Sequence, residues 1–474
     1  MKAMKHFFTV LILLCSTSVV KAYNFEANGI YYNILSEDEK TVEVTRGTYD
    51  YYDNIIIPEK VSYSGKMYNV VGIGDGAFYE AFYVTSVTIP NSIKSIGDRA
   101  FWQCQLITSI TIPNSVIHIG DAAFDRCFNL TSITIPNSVK SIGEGAFNNC
   151  FNLEKVYIDC KTIDSWFQNL SIKEVVIGNN VTSIGYEAFN GCEELASVVF
   201  GDNITSIGDW AFNGCSSINN ISIPEKVTNI GEYAFSGCSG LTSLTIPEKV
   251  TNIGEHAFDG CTAIIGSVTI PNSVTNIGAY AFGSCEGITN LTIPNSVKSI
   301  GEGAFVLCSN LEKVCLDCTT IGKWFMQTSI KDLVIGSNVK SIEDYAFYSC
   351  ANLTNITISN GIISFGNFSF ANCLNINNII IDISVAVEAN EYLFSNKTYE
   401  NANLYIPAGS KYNYEHTEPW SKFKNIIEKG ASGIDSVCEQ KNENSGIYYD
   451  LNGRIIKNPT RGIYILDGKK VLIK

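Results

Sequence analysis

Cysteines are the most regularly spaced residues in this sequence that can do chemistry. Of the 16 cysteines, eleven recur at intervals of 23 or 24 residues, with two intervals of 42. They are Cys104, Cys127, Cys150, Cys192, Cys215, Cys238, Cys261, Cys285, Cys308, Cys350 and Cys373. In a secreted chain such a count first suggests disulfide bonds, whereas clustered thiolates and histidines suggest zinc. The choice depends on how the fold brings these positions together.

The remaining reactive residues do not form a recognisable catalytic or metal site. Cys315 and Cys318 have the spacing of a zinc or redox half-site, yet no second pair and no nearby histidine completes it. His118, His256 and His416 are isolated, and a lone histidine is more often a surface residue than a base. Catalytic and phosphate-binding motifs are missing, and the scattered carboxylates show no acid–base pair. We predict a protein that is not an enzyme and that needs no cofactor or metal.

The cysteines belong to a sequence repeat. Phenylalanines return with the same period, at 101, 124, 147, 189, 212, 235, 258, 282, 305, 347 and 370. Each 42-residue gap contains one more, Phe167 or Phe325, which follows the previous phenylalanine by 20 residues. Each gap therefore holds a pair of shorter units, and the two gaps recur at an offset of 158 residues, as if a block had been duplicated. Such units stack because one alone cannot bury its apolar face.

Each unit has three parts. A run such as LTSLTIP alternates apolar and hydroxyl residues and stops at proline, which predicts a strand with one buried face. The V-x-x-I-G piece that follows has a glycine, for example Gly231, that we expect in a left-handed turn. The A-F-x-x-C part is too short for a full helix, so it predicts a single helical or 3₁₀ turn. The predicted fold class is a repeat solenoid, a right-handed superhelix of short parallel β-strands with such turns, followed by a small β segment.

Stacking also decides what the cysteines do. Equivalent side chains in neighbouring units lie one strand spacing apart, ~4.8 Å, with parallel Cα–Cβ bonds. A disulfide needs Cβ atoms only ~3.5–4.5 Å apart. We therefore predict a ladder of buried free thiols, in which each cysteine acts as a small apolar residue.

The same strands leave alternate positions on an exposed face. Serine and threonine dominate there, and the candidate ligand-binding residues are Thr111, Thr134, Ser222, Thr245, Thr269 and Thr292. The longest uninterrupted block is expected to run from Ser222 to Thr292. These hydroxyl groups are either a docking surface or a solvated sheet face with no ligand. The shorter units interrupt them with the charged residues Lys155, Glu174, Lys313 and Asp332, and with the larger groups Tyr157, Val176, Cys315 and Val334.

The I-P, I-G and A-F-x-x-C motifs between residues 55 and 407 resemble those of the BspA-like leucine-rich repeats. The resemblance implies a leucine-rich-repeat solenoid closed at both ends by caps. The expected organisation is a signal peptide (1–22), an N-terminal cap (23–75), the solenoid (76–383), a C-terminal closing unit (384–430), a linker (431–446) and a β segment (447–474).

Both termini carry targeting patterns. The start, MKAMKHFFTVLILLCSTSVVKA, has lysines before an apolar core and a final alanine, as in a secretory signal peptide. The ending GIYYDLNGRIIKNPTRGIYILDGKKVLIK resembles the C-terminal sorting domains of type IX secretion, which implies contact with that machinery. We expect a secreted or cell-surface protein on the outer envelope of a Gram-negative bacterium.

Charge and composition argue against several classes of binding partner. The formal net charge of −14 argues against nucleic acid and anionic membranes, and the chain lacks an apolar run of 18 residues that would span a bilayer. The resembled family has adhesive members, so the predicted function is binding of an extracellular protein or glycan on host or neighbouring cells. The alternatives are a structural surface spacer without a specific ligand, and a hydrolase, which would need an acid–base pair that the sequence does not show.

Overall fold

The structure, a computed structural model, describes residues 23–48, 50–325 and 328–429, and the backbone of four short strands after residue 447. The predicted signal peptide and linker lie outside the described residues. Within these ranges no helix is long and apolar enough to cross a membrane. The chain forms a parallel β-solenoid of about 15 turns with little helix, which confirms the predicted solenoid.

One side of the solenoid is built from the first alternating run of each unit, which in several units ends next to a proline; these runs are here called the front strands. The front strands form a pair, a five-stranded sheet and an eight-stranded sheet, and neighbours run parallel. They are Tyr52–Ile56 and Tyr83–Thr88; Ser109–Thr111, Ser132–Ile135, Lys155–Ile158, Glu174–Ile177 and Ser197–Val199; and Gly266–Thr269, Ile288–Ile293, Lys313–Leu316, Asp332–Ile335, Asn355–Ile358, Asn378–Ile381, Asn403–Ile406 and Asn425–Glu428. Val156 and Ile158 are buried whereas Lys155 and Tyr157 are exposed, as alternation along a strand requires.

The V-x-x-I-G pieces form a second side, here called the rear strands. They are mostly two residues long and pair in parallel from one unit to the next. They are Ser95–Ile96, His118–Ile119 and Ser141–Ile142; Thr162–Ile163, Ser183–Ile184, Ser206–Ile207, Asn229–Ile230, Asn252–Ile253, Asn276–Ile277 and Ser299–Ile300; and Thr320–Ile321, Ser341–Ile342 and Ser364–Phe365. The first rear sheet begins with five longer strands, which pair largely antiparallel. They are Phe25–Ala27, Ile30–Ser36, Thr41–Thr45, Lys60–Tyr63 and Lys66–Ile73.

The A-F-x-x-C part turns the chain without forming a helix. The Cys104 N–H donates to the Phe101 carbonyl three residues earlier (3.1 Å), whereas the Phe101 N–H donates to the Ala123 carbonyl in the next unit (2.7 Å). Because local and inter-unit bonds alternate along the segment, its backbone groups are satisfied by successive β-turns and by the neighbouring unit. The predicted helical or 3₁₀ turn is therefore replaced by a chain of β-turns.

The glycine after the rear strand has a different role from the one predicted. Gly231 is not left-handed; the left-handed residue is Tyr233, two positions later, with φ of 53°. A Cβ atom on Gly231 would lie only 2.5 Å from the carbonyl carbon of Gly208 in the preceding unit. Glycine is needed here because the two backbones approach too closely for any side chain.

A stack of fifteen phenylalanine rings runs through the core. Its members are Phe78, Phe101, Phe124, Phe147, Phe167, Phe189, Phe212, Phe235, Phe258, Phe282, Phe305, Phe325, Phe347, Phe370 and Phe394. Successive ring centroids are between 5.1 and 5.8 Å apart. Phe167 and Phe325 continue the stack, which confirms that each 42-residue gap holds two shorter units.

The ring stack is closed at its carboxyl end by aromatic side chains that lie across it. Phe394 is met edge-on by Tyr399, Trp420 and Phe423 at interplanar angles of 88°, 65° and 75°. Tyr399 comes from the helix Asn396–Asn401, Trp420 from the 3₁₀ helix Trp420–Lys422, and Phe423 follows that helix; a second helix, Lys411–Glu415, lies between them in the chain. Perpendicular rings cover the terminal face and leave no surface for a further parallel ring.

The eleven repeat cysteines are buried beside this stack, and the structure records each of them as a free thiol. Each thiol donates to the carbonyl of a phenylalanine in the preceding unit; for Cys238 and Phe212 the distance is 3.2 Å. Burial raises the pKa of Cys104, Cys150 and Cys238 to about 12. A neutral thiol that donates a hydrogen bond is a core group, not a nucleophile.

The ring stack should dominate stability locally. Phe235 is fully buried between Phe212 and Phe258, with both centroids 5.4 Å away. Replacing Phe235 with alanine should lower the free energy of unfolding by about 3–5 kcal/mol, because a cavity opens and two ring contacts are lost. Phe151→Ala is the control, since Phe151 is 54% exposed, and should cost less than about 1 kcal/mol. If urea unfolding showed the same loss of unfolding free energy for both variants, the ring stack would not be the main local source of stability.

The thiols should make the fold sensitive to alkali. Burial holds thiols such as those of Cys104, Cys150 and Cys238 neutral in the folded state, whereas unfolded thiols ionise above about pH 8.5, so stability should be intact below that pH and fall as pH rises. Each buried thiol contributes up to about 1.4 kcal/mol per pH unit to this slope. Urea unfolding between pH 7 and pH 10 measures the slope, and Cys238→Ala should reduce it.

Native protein at pH 8 should resist thiol labelling, because the repeat cysteines are buried. Disulfides between neighbouring units in mass spectra would refute the ladder of free thiols.

Candidate binding surface

The outward side chains of the front strands form two rows that follow the solenoid axis. The first outward row is Asn54, Ser86, Ser109, Ser132, Lys155, Glu174, Ser197, Ser267, Asn290, Lys313, Asp332, Asn355, Asn378, Asn403 and Asn425. The second outward row is Ile56, Thr88, Thr111, Thr134, Tyr157, Val176, Val199, Thr269, Thr292, Cys315, Val334, Thr357, Ile380, Tyr405 and Ile427. All of these side chains are exposed or half-buried. Together they make a surface as long as the solenoid.

Four of the six candidate hydroxyl residues lie on this surface as adjacent pairs. Thr111 is in register with Thr134, and Thr269 with Thr292, in two different sheets. Their side chains point outward, and Thr292 is the most covered, at half-buried. The pairs are therefore available to a partner, although they do not belong to one continuous ladder.

The block from Ser222 to Thr292 is interrupted. Residues 220–223 and 243–246 form no strand pairs among the described residues, although Ser222 and Thr245 are exposed. The prediction of an uninterrupted hydroxyl ladder is wrong at this point. The units are still held together on their other sides, because Asn229 pairs with Asn252 in the rear strands and the Gly214 N–H donates to the Ser236 carbonyl (2.7 Å).

Charged residues occur on the front face as two compact blocks. In the first block Lys155 contacts Glu174 (3.1 Å), and in the preceding positions Lys173 contacts Glu154 (2.7 Å). The hydrogen bond from Lys173 holds the pKa of Glu154 below its usual value. In the second block Lys331 contacts Glu312 (2.6 Å), and Lys313 is in register with Asp332. Because all these groups are solvated, each pair adds little stability and mainly sets the local charge pattern.

Beyond the second block, the front face is apolar on one row and rich in amides on the other. The Asn378 amide donates to Asn355 (3.0 Å), and Asn355 donates to the Asp332 carboxylate (2.7 Å). The second outward row continues beside them with Ile380, Tyr405 and Ile427. Sequence analysis missed these three positions. Tyr405 lies in the run that ends at Pro407, and the strand period carried into the runs on either side of it, which have no such proline, would have found Ile380 and Ile427.

The structure brings one histidine to carboxylates that sequence analysis left unpaired. His256 lies 2.9 Å from Asp259 and 3.8 Å from Glu255. Its ring is sandwiched between Tyr233 and Tyr280, with centroids 4.5 and 4.9 Å away. Both faces of the imidazole are covered, so this group stabilises an aromatic column on the turn side. The i, i+3 spacing in EHAFD was the signal for the contact.

The cysteine pair does not gather ligands for a metal. Cys315 is half-buried in the second outward row, whereas Cys318 is buried with its sulfur 3.6 Å from the Thr320 carbonyl. In the part of the chain that the structure describes, no group of three or more histidine, cysteine or acidic residues could hold a metal ion.

A solved structure shares this architecture. A leucine-rich repeat protein from Bacteroides ovatus is 26% identical, with a TM-score of 0.53 over 79% of this chain and 100% of its own. A leucine rich cell surface protein from Faecalibacterium prausnitzii is 28% identical, with a TM-score of 0.39 over 75% of this chain and 94% of its own. No curated protein matches the sequence significantly.

A family profile covers the repeats themselves. The BspA type leucine rich repeat region matches in six copies, over residues 71–166, 161–265, 229–324 and 319–417. These matches span well over half of the sequence and include the ring stack, the rear strands from Ser95–Ile96 onward, and the front strands except Tyr52–Ile56 and Asn425–Glu428. Leucine-rich repeat proteins of this fold are generally not enzymes. The chain belongs to the BspA-type leucine-rich repeat family.

Proposed function

We propose that this protein is a secreted or cell-surface, adhesin-like protein whose front face binds an extracellular protein or glycan. The observation that carries the proposal is the front face itself, which has few charges and exposes apolar groups such as Val199 (53%) and Tyr157 (40%). Solenoids commonly use one long regular face to hold an extended partner. No catalytic role is proposed.

A surface location is supported by the two ends of the sequence. The leader predicts export, and the tail is proposed to be a sorting segment for the secretion machinery. The described tail backbone forms a four-stranded antiparallel sheet, in which Gly462–Leu466 pairs with Lys469–Ile473. This arrangement fits a small separate β segment.

A structural spacer is the second candidate. The uniform ring stack would make a stiff rod of roughly 70 Å, at ~4.8 Å per turn, that projects other parts from the envelope. A spacer needs no ligand, so its front face would tolerate charge.

Charge placed on the front face should weaken ligand binding without unfolding the protein. Thr111, Thr134, Thr269 and Thr292 point outward, so replacing all four with glutamate should cost little stability beyond modest repulsion between neighbours. The mature protein is first incubated with arrayed matrix proteins and glycans. For a ligand found there, the variant should bind at least about tenfold more weakly, since desolvated carboxylates would face the partner.

The matched control carries the same charge elsewhere. The control replaces four exposed residues of the turn segments with glutamate, which should leave the affinity for the ligand unchanged. They are Ser239, Thr262, Ser309 and Ala351. Circular dichroism and melting temperature establish that both variants fold. Equal affinity of the two variants would move the site away from the front face, and no ligand for the parent protein would favour the spacer.

The tail should govern location and not folding. Deleting residues 434–474 should leave the melting temperature of the mature protein unchanged, because the core contacts described above involve residues before this segment. Cell fractionation should find the truncated protein in the periplasm. Normal display of the truncated form on the cell surface would remove the sorting role.

A further inference from the structure

The charge pattern of the front face is symmetric about its middle. Among the described residues the face contains fifteen front strands and, between them, the segments 220–223 and 243–246, which form no strand pairs. Four strands precede the one that carries Lys155, and four follow the one that carries Asp332. In the two outward rows, the charged residues are Lys155, Glu174, Lys313 and Asp332. Segment 243–246 is therefore the midpoint both of the face and of its charged blocks.

This symmetry makes the face complementary to itself. A twofold axis along segment 243–246, between two copies, reverses the order of the strands and keeps each row opposite the same row. Lys155 then faces Asp332 of the second copy, and Glu174 faces Lys313. In the preceding positions Glu154 faces Lys331 and Lys173 faces Glu312. Each charge of the two blocks meets its opposite.

The apolar side chains match under the same operation. Tyr157 faces Val334 of the second copy, and Val176 faces Cys315. At the ends of the face, Ile56 (64% exposed) meets Ile427 (39% exposed). Two identical solenoids share the same ~4.8 Å repeat, so these contacts stay in register over many turns.

We propose that the front face binds a second copy of this chain, face to face and antiparallel. The proposal rests on the proposed function, since it assigns the partner of the same surface. The carboxyl ends of the two solenoids then lie at opposite ends of the dimer. That geometry suits two chains held on facing envelopes, so the contact would join neighbouring cells that display the same protein. The charged blocks disfavour arrangements shifted by one unit, because that shift places Lys155 opposite Lys313 or Glu174 opposite Asp332.

The test exchanges charges within one block at a time. In the first-block variant, Lys155→Glu and Glu174→Lys, the ion pair within the chain is retained with its members exchanged. In a homodimer this variant would place glutamate opposite Asp332 and lysine opposite Lys313. Sedimentation velocity of the mature protein should show a dimer, and the variant should dimerise at least about tenfold more weakly. The second-block variant, Lys313→Glu and Asp332→Lys, should behave in the same way.

Restoration distinguishes recognition from loss of fold. A variant with both blocks exchanged should dimerise again, and the two single-block variants should pair with each other when mixed. Beads coated with the parent protein should aggregate, and beads coated with either single-block variant should not. A monomeric parent protein, or single-block variants that dimerise normally, would overturn the proposal. Ligand binding by a monomeric protein would leave the proposed function standing without this partner.

Discussion

Ring-on-ring contact between successive phenylalanines is the constraint on which the rest of the structure depends. Fifteen rings keep a spacing between 5.1 and 5.8 Å, close to the ~4.8 Å between parallel strands. A unit that lacks three or four residues is accommodated provided that its phenylalanine still enters the stack, as Phe167 and Phe325 do. Loop length can vary because it is solvated, whereas the ring position cannot, because a missing ring would leave a cavity in a densely packed core.

The same spacing brings like groups together and determines how their polar atoms are satisfied. A thiol above a thiol cannot form a disulfide, so Cys238 instead donates to the carbonyl of Phe212 in the unit before it. Carboxylates at the turns accept hydrogen bonds from backbone N–H groups of the next unit. The Asp209 carboxylate, for example, accepts from the Glu232 N–H at 2.8 Å. Each of these contacts joins neighbouring units, so the solenoid is held by many nearest-neighbour interfaces and not by one central core.

Because the core is uniform, recognition must come from departures from the repeat. The front face is mostly serine, threonine and asparagine, against which the two short units place ion pairs and larger apolar groups such as Tyr157 and Val334. Their duplication gives the surface two equivalent blocks, and a surface with paired features suits a symmetric or repeated partner. The pairing gap at 220–246 lies between the blocks and is bridged by the rear strands and turn segments.

The sequence by itself determined the repeat period, the two pairs of short units, the buried thiols and the outward direction of Thr111 and Thr134. These follow from local alternation and from the need of every unit to bury the same face. Only the tertiary structure decided the role of Gly231, because the constraint there is a backbone in the preceding unit and not the local turn. It also decided that 220–223 and 243–246 form no strand pairs among the described residues, that tyrosines of the two neighbouring units cover the ring of His256, and that the A-F-x-x-C part forms β-turns. In each case the deciding contact lies in a neighbouring unit or joins backbone groups across units, where a single repeat read in isolation has no information.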